Sequence, residues 1–152
     1  MAITQTTTTS FRVELLQAVH NFGPTSADTF KIALFTGAAD IGPNTTEYTP
    51  GMTGEVSGTG YVAGGNTLVI SQSPTFGYGP FPNQIPTAYI SFANTSWANA
   101  SFTARGALIY NSSKSNKSVA VLDFGSDKTA SSSPFTIAFP VDDASNAIVR
   151  VA

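Results

Sequence analysis

No cysteine occurs among the 152 residues, so the fold can use neither disulfides nor thiolate metal or redox sites. Charge is nearly as sparse. Asp, Glu, Lys and Arg make up 11% of the chain, against about 25% in ordinary soluble domains. Between Glu55 and Arg105 lie 49 residues with no Asp, Glu, Lys, Arg or His. The Lys and Arg residues are scattered and the net charge is −2, which excludes the dense positive stripe needed to displace counterions from nucleic acid. Unbroken apolar runs reach only about four or five residues, far below the roughly 20 that span a bilayer, so no membrane partner is expected. Residues 1–10 have no basic stretch followed by an apolar core, so synthesis in a cytoplasm without a secretory signal is expected.

Catalytic groups are few. His20 is the single histidine. It falls near the end of a helical pattern, where helix-dipole contact or simple exposure is the plain reading and a Ser-His-Asp role would need two further partners. No Gly-x-Ser-x-Gly elbow is present. The pairs Glu47 with Glu55, Asp123 with Asp127, and Asp142 with Asp143 are the acid/base candidates. Asp123–Lys128 suits a turn better than a site. No ligand spacing for calcium is found, and the segment 58–63 matches a dinucleotide fingerprint in letters but not in context. No metal, cofactor or catalytic residue is therefore assigned. Arg105 stands alone in an apolar half. Either its head reaches solvent above a sheet-covering stem, or it pairs with Asp123 or Asp127.

What is abundant is apolar and aromatic: 41% hydrophobic residues, with 11 Phe and 5 Tyr. That suffices for one domain with a core. Ser10 as N-cap and an apolar stripe through Phe11, Leu15, Ala18, Val19 and Phe22, stopped by Gly23-Pro24, predict one helix over 11–21. The rest reads with period two: strands are expected over 29–36, 67–71, 88–93, 102–110, 118–124, 135–139 and 147–151. With no helices between them, these predict a mainly β fold: an antiparallel β-sandwich, jelly-roll or immunoglobulin-like, with one short N-terminal helix. The expected organisation is an extended arm over 1–9 and a single sandwich domain over 10–152.

Two long loops are expected, 37–58 and 73–86. Loops of that length are commonly functional. The second carries Phe76, Tyr78 and Phe81 among prolines and glycines. These three either cap the open end of the core or anchor a partner, as aromatic hot spots do. The Thr-rich start, Thr6, Thr7, Thr8 and Thr9, is a second candidate contact, able to lie along a neighbour as an added strand.

Several runs carry a family likeness. Phe30–Thr36, Gly54–Leu68, Trp97 with Phe102–Asn111, Ala120–Gly125 and Phe135–Pro140 resemble virion structural proteins of tailed bacteriophages, over nearly the whole chain from Phe11 onward. Residues 74–86 depart from that pattern. The resemblance implies a part of the phage particle, with other virion proteins as partners. In the leading version the chain is a capsid decoration (cement) protein, a homotrimer bracing the major capsid protein. A tail, neck or fibre component contacting the host surface is the alternative, and a small glycan hydrolase using Glu47 and Glu55 is the third reading.

Overall fold

The computed structural model describes residues 2–152. It is a mainly β structure with two antiparallel sheets and one short helix near the N-terminus, the fold class expected. Strands β1 (Thr6–Thr7), β2 (Phe30–Phe35), β3 (Asn66–Thr67), β6 (Thr95–Asn111) and β7 (Lys117–Ile137) form a five-stranded sheet in the order β1-β7-β6-β2-β3. Strands β4 (Ile70–Tyr78), β5 (Pro86–Phe92) and β8 (Val149–Val151) form a three-stranded sheet in the order β4-β5-β8.

The main core lies between the sheets. Ile32, Leu34, Ile109 and Val119 from the large sheet join Ile90, Phe92 and Val149 from the small one. A chain of rings links the layers: Phe11 to Phe22 at 6.1 Å, Phe22 stacked on Phe30 at 4.3 Å, and Phe30 to Phe92 at 5.8 Å. A second cluster sits on the opposite face of the large sheet, where Ala33, Phe35, Leu108 and Val121 meet Ala39, Ile41 and Tyr48. The expected loop 37–58 is thus a cover for that face. This explains why β2 is apolar at both parities: Phe30 and Ile32–Phe35 are all buried.

The helix, α1 (Thr9–Leu16), is shorter than expected and shifted towards the N-terminus. Thr8, not Ser10, is the N-cap, its hydroxyl accepting from the Phe11 amide at 3.4 Å. The end is set by Ala18, which adopts a left-handed φ of 56°. The Ala18 amide donates to the Leu15 carbonyl at 3.1 Å and the Val19 amide to Glu14 at 3.0 Å. That pair is a Schellman motif built on alanine in place of the usual glycine. It closes the helix well before Gly23-Pro24, so Phe22 enters the core from the following segment.

The strands expected over 102–110, 118–124 and 135–139 belong to one long hairpin, β6 with β7, turning at 112–116. Left-handed residues inside it, Asn99, Gly125 and Ser132, shift the register and interrupt the sequence alternation. Half of the expected loop 73–86 is also strand: β4 runs to Tyr78 and β5 starts at Pro86, leaving Gly79–Ile85 as the connection.

Candidate functional site

The β4–β5 hairpin ends in an apolar tip. Phe76 is paired with Ala88, Tyr78 with Pro86, and Ala88 with Val151. Antiparallel register places all five on one face, and all five are exposed. Ile90 and Val149 lie on the same face two residues further on, where it enters the core. Phe76 and Tyr78 touch edge to face at 6.2 Å, yet remain 69% and 61% exposed. The connection is tied by the Gly79 amide donating to the Ile85 carbonyl at 3.0 Å. From it Phe81 projects, 85% exposed. Of the two readings of these aromatics, capping the core is therefore corrected: they lie beyond it, in water.

Phe81 and Ile85 line a cleft of about 870 Å3 whose far wall is Thr6, Thr7 and Ala120–Leu122. A neighbouring groove of about 540 Å3 runs along the outer half of β7, lined by Leu122, Phe124, Phe135, Ile137, Phe139 and Ile148. In that half no strand among the described residues pairs with the outer edge of β7, because β1 reaches only Ala120 and Val121.

The Thr-rich start is placed differently from the expectation. Thr6 and Thr7 pair within the chain, with Val121 and Ala120. Thr8 is fully buried, its hydroxyl 2.8 Å from that of Ser118, and Thr9 opens α1. Ile3 packs where a side chain at Gly106 would stand. These residues are a strap on their own domain, not a free arm, because the short β1 satisfies the edge of β7 beside the core.

Polar side chains gather at two other places. The Glu55 carboxylate accepts the Tyr48 hydroxyl at 3.0 and 3.2 Å, the Tyr61 hydroxyl at 3.0 Å and the Gly64 amide at 2.7 Å. Tyr61 in turn accepts from the Leu34 amide at 3.0 Å, and Tyr110 donates to the Gly64 carbonyl at 2.8 Å. Next to Gly64, Gly65 has φ +68°, and a Cβ there would overlap the Ile32 carbonyl. Burial first, then the Glu55 charge, pushes the Tyr110 phenol up to about 12. Burial likewise raises Tyr48, reinforced by its bond to Glu55, and it raises Tyr61 against the opposing Leu34 amide. Three donors, Tyr48, Tyr61 and the Gly64 amide, commit Glu55 to holding the cover loop. Its proposed partner Glu47 is exposed, its backbone in an isolated antiparallel β-bridge with that of Lys117.

His20 is buried, not at the surface or capping a helix end. One ring nitrogen, Nε2, lies 2.8 Å from Glu14 Oε2, and Nδ1 lies 3.0 Å from Asn111 Nδ2. Asn111 Oδ1 accepts the Ser113 amide at 3.0 Å while its Nδ2 donates to Asp28 at 2.8 Å. The Asn111 amide is thereby fixed, so His20 Nδ1 accepts and Nε2 donates. Lys117 donates to the other Glu14 oxygen at 2.7 Å. Sequence reading missed Glu14, although its i, i+3 spacing from Phe11 puts both on one helix face.

Arg105 makes the cross-strand pair, Nε to Asp123 Oδ1 at 3.1 Å, with its side chain still about a third exposed. The Gly125 amide first, then Arg105, holds the Asp123 carboxyl below its ordinary range. Asp123–Lys128 is a bulged part of β7 rather than a turn between strands. Asp142 accepts from Ser71 and Asp143 from the Asn146 amide. Among the described residues no group of three or more His, Cys, Asp or Glu is arranged to hold a metal.

Compared with protein-family models, curated proteins and solved structures, the chain matches none.

Proposed function

We propose that this chain is a structural subunit of a bacteriophage particle, in the first instance a capsid decoration (cement) protein held in the shell by apolar contact with its neighbours, the major capsid protein and copies of itself. The observation that carries the reading is the hairpin tip. Three large aromatics stand in water within a 49-residue span that carries no ionisable Asp, Glu, Lys, Arg or His. Such a surface is costly to leave uncovered and typifies contact sites. The virion context comes from the sequence resemblance alone. The same resemblance admits a tail, neck or fibre component, and the Phe76–Tyr78 pair offers that reading a face on which a host sugar could stack.

Burial is the mechanism, with no turnover. A contact covering about 1,000 Å2 of apolar surface gives on the order of 25 kcal/mol gross. Translational and ordering costs remove roughly 4–15 kcal/mol or more. Exposed ion pairs contribute at most about 1 kcal/mol each, and here they are few.

Imaging of intact particles, locating the chain and counting its copies, tests the proposal. Many copies on the shell in fixed ratio to the major capsid protein are expected. A tail-only location would replace the cement role by the alternative, and absence from the particle would end both.

A further inference from the structure

We infer that the chain associates with copies of itself head to tail, the β4–β5 tip of one copy seated in the β7 groove of the next. This rests on reading the tip as a docking surface, and names what it docks on.

Three observations carry it. First, the chain holds both halves of a contact: a projecting apolar tip, with Phe76, Tyr78, Phe81 and Ile85 exposed, and an open apolar groove of about 540 Å3 between Leu122 and Phe139. Phe76, Tyr78 and Phe81 take no part in lining that groove, so the two surfaces are distinct and one copy can use both. Second, charge permits the match. The tip has no ionisable Asp, Glu, Lys, Arg or His, and the groove has only Asp123, already paired with Arg105, and Lys128. Asp123 keeps its Arg105 partner as the tip enters, and Lys128, exposed on a flexible stem, keeps its ammonium in water. Third, the area suits a ring. With aromatic side chains offering about 150–250 Å2 each, the exposed fractions of 69%, 61% and 85% give roughly 320–540 Å2, and Ile85 brings the tip to about 500 Å2 at mid-range. Seating it buries about 1,000 Å2 counting both partners, the lower bound for a specific interface. One such contact is marginal. A closed ring gives every subunit two, and heterologous contacts close into rings when the rotation allows.

Strand addition is the less suitable mode. The free edge of β4 carries Pro74 and two register shifts, and the outer half of β7 carries Gly125, Lys128, left-handed Ser132 and Pro134. Proline, lysine and bulges are devices that keep edges from pairing. The contact is therefore one of side chains filling a groove.

The test uses two single-site variants of the full chain. Phe81→Ser removes the tip anchor, and Ala138→Lys places a charge at an exposed groove-lining position. Neither touches the buried core, and circular dichroism with a urea midpoint confirms that each folds. Sedimentation velocity is run at about 100 μM protein. A closed oligomer is expected for the parent chain, monomers for each variant alone, and a raised sedimentation coefficient from weak 1:1 pairing when the two are mixed, because the intact tip of one fits the intact groove of the other. A monomeric parent overturns it, as does a mixture no more associated than either variant alone, or an Ala138→Lys variant that still associates by itself, the result for a twofold tip-to-tip contact. A monomeric parent that still binds particles would overturn the self-contact while leaving the tip as a docking surface.

Discussion

The rings of Tyr48 and Tyr110 stack at 4.6 Å, 15° from parallel, and this contact presses the cover loop 37–58 onto the outer face of the large sheet. Burial raises both phenols, and Glu55, which accepts the Tyr48 hydroxyl, adds to the rise through its charge. Replacing Glu55 with Ala leaves the Tyr48 and Tyr61 phenols and the Gly64 amide without their acceptor. At about 1–3 kcal/mol per lost partner in a buried setting, reduced where water enters, a total loss of about 2–4 kcal/mol is expected. A urea midpoint unchanged from the parent would show that the carboxylate does not hold the loop.

The same cluster sets an alkaline limit. A phenol whose pKa is raised on folding contributes stability that is fully present below the unfolded value, about 10, and is lost as pH rises through the folded value. For Tyr110 that window runs from about 10 to about 12. Tyrosinate absorbance from Tyr48, Tyr61 and Tyr110 is expected to appear together with unfolding. Ionisation of all tyrosines near pH 10, with the circular dichroism intact, would contradict the buried network.

Ala18 holds a left-handed conformation at the end of α1, which disfavours any residue with a Cβ by about 1–2 kcal/mol. Ala18→Gly is expected to stabilise the fold by about 0.5–1 kcal/mol, offset in part by the greater freedom of glycine in the unfolded chain. A lowered melting temperature would mean that the methyl group makes a contact worth more than the strain.

Much of this fold was legible because burial imposes period two. The alternation of Phe135 and Ile137 announces a strand, the short apolar run Phe30–Phe35 announces one covered on both faces, and the scarcity of helical patterns announces the class. What stayed hidden depends on long-range pairing. Residues 102–137 form one hairpin, but left-handed Gly125 and Ser132 break its alternation into apparent pieces. The Pro and Gly of 73–86 read as loop, whereas β4 tolerates Pro74 as an edge strand. The Thr-rich start looks free in sequence because nothing local shows that Val121 is its partner. Glu55 as a hub, and His20 between Glu14 and Asn111, arise from residues far apart in the chain. The aromatics of the tip could be named from sequence, but their exposure could not.

The account turns on neutral apolar burial at the hairpin tip, and co-sedimentation of the purified chain with undecorated phage heads at about 50 and 500 mM NaCl measures that. Debye screening weakens only charged contacts, its length falling from roughly 14 to 4 Å over that range. The bound fraction is expected to stay constant across the two salt concentrations and to fall at least about tenfold in a variant carrying both Phe76→Ser and Phe81→Ser. Release of the parent chain at high salt, with that variant binding as well as the parent at low salt, would contradict it.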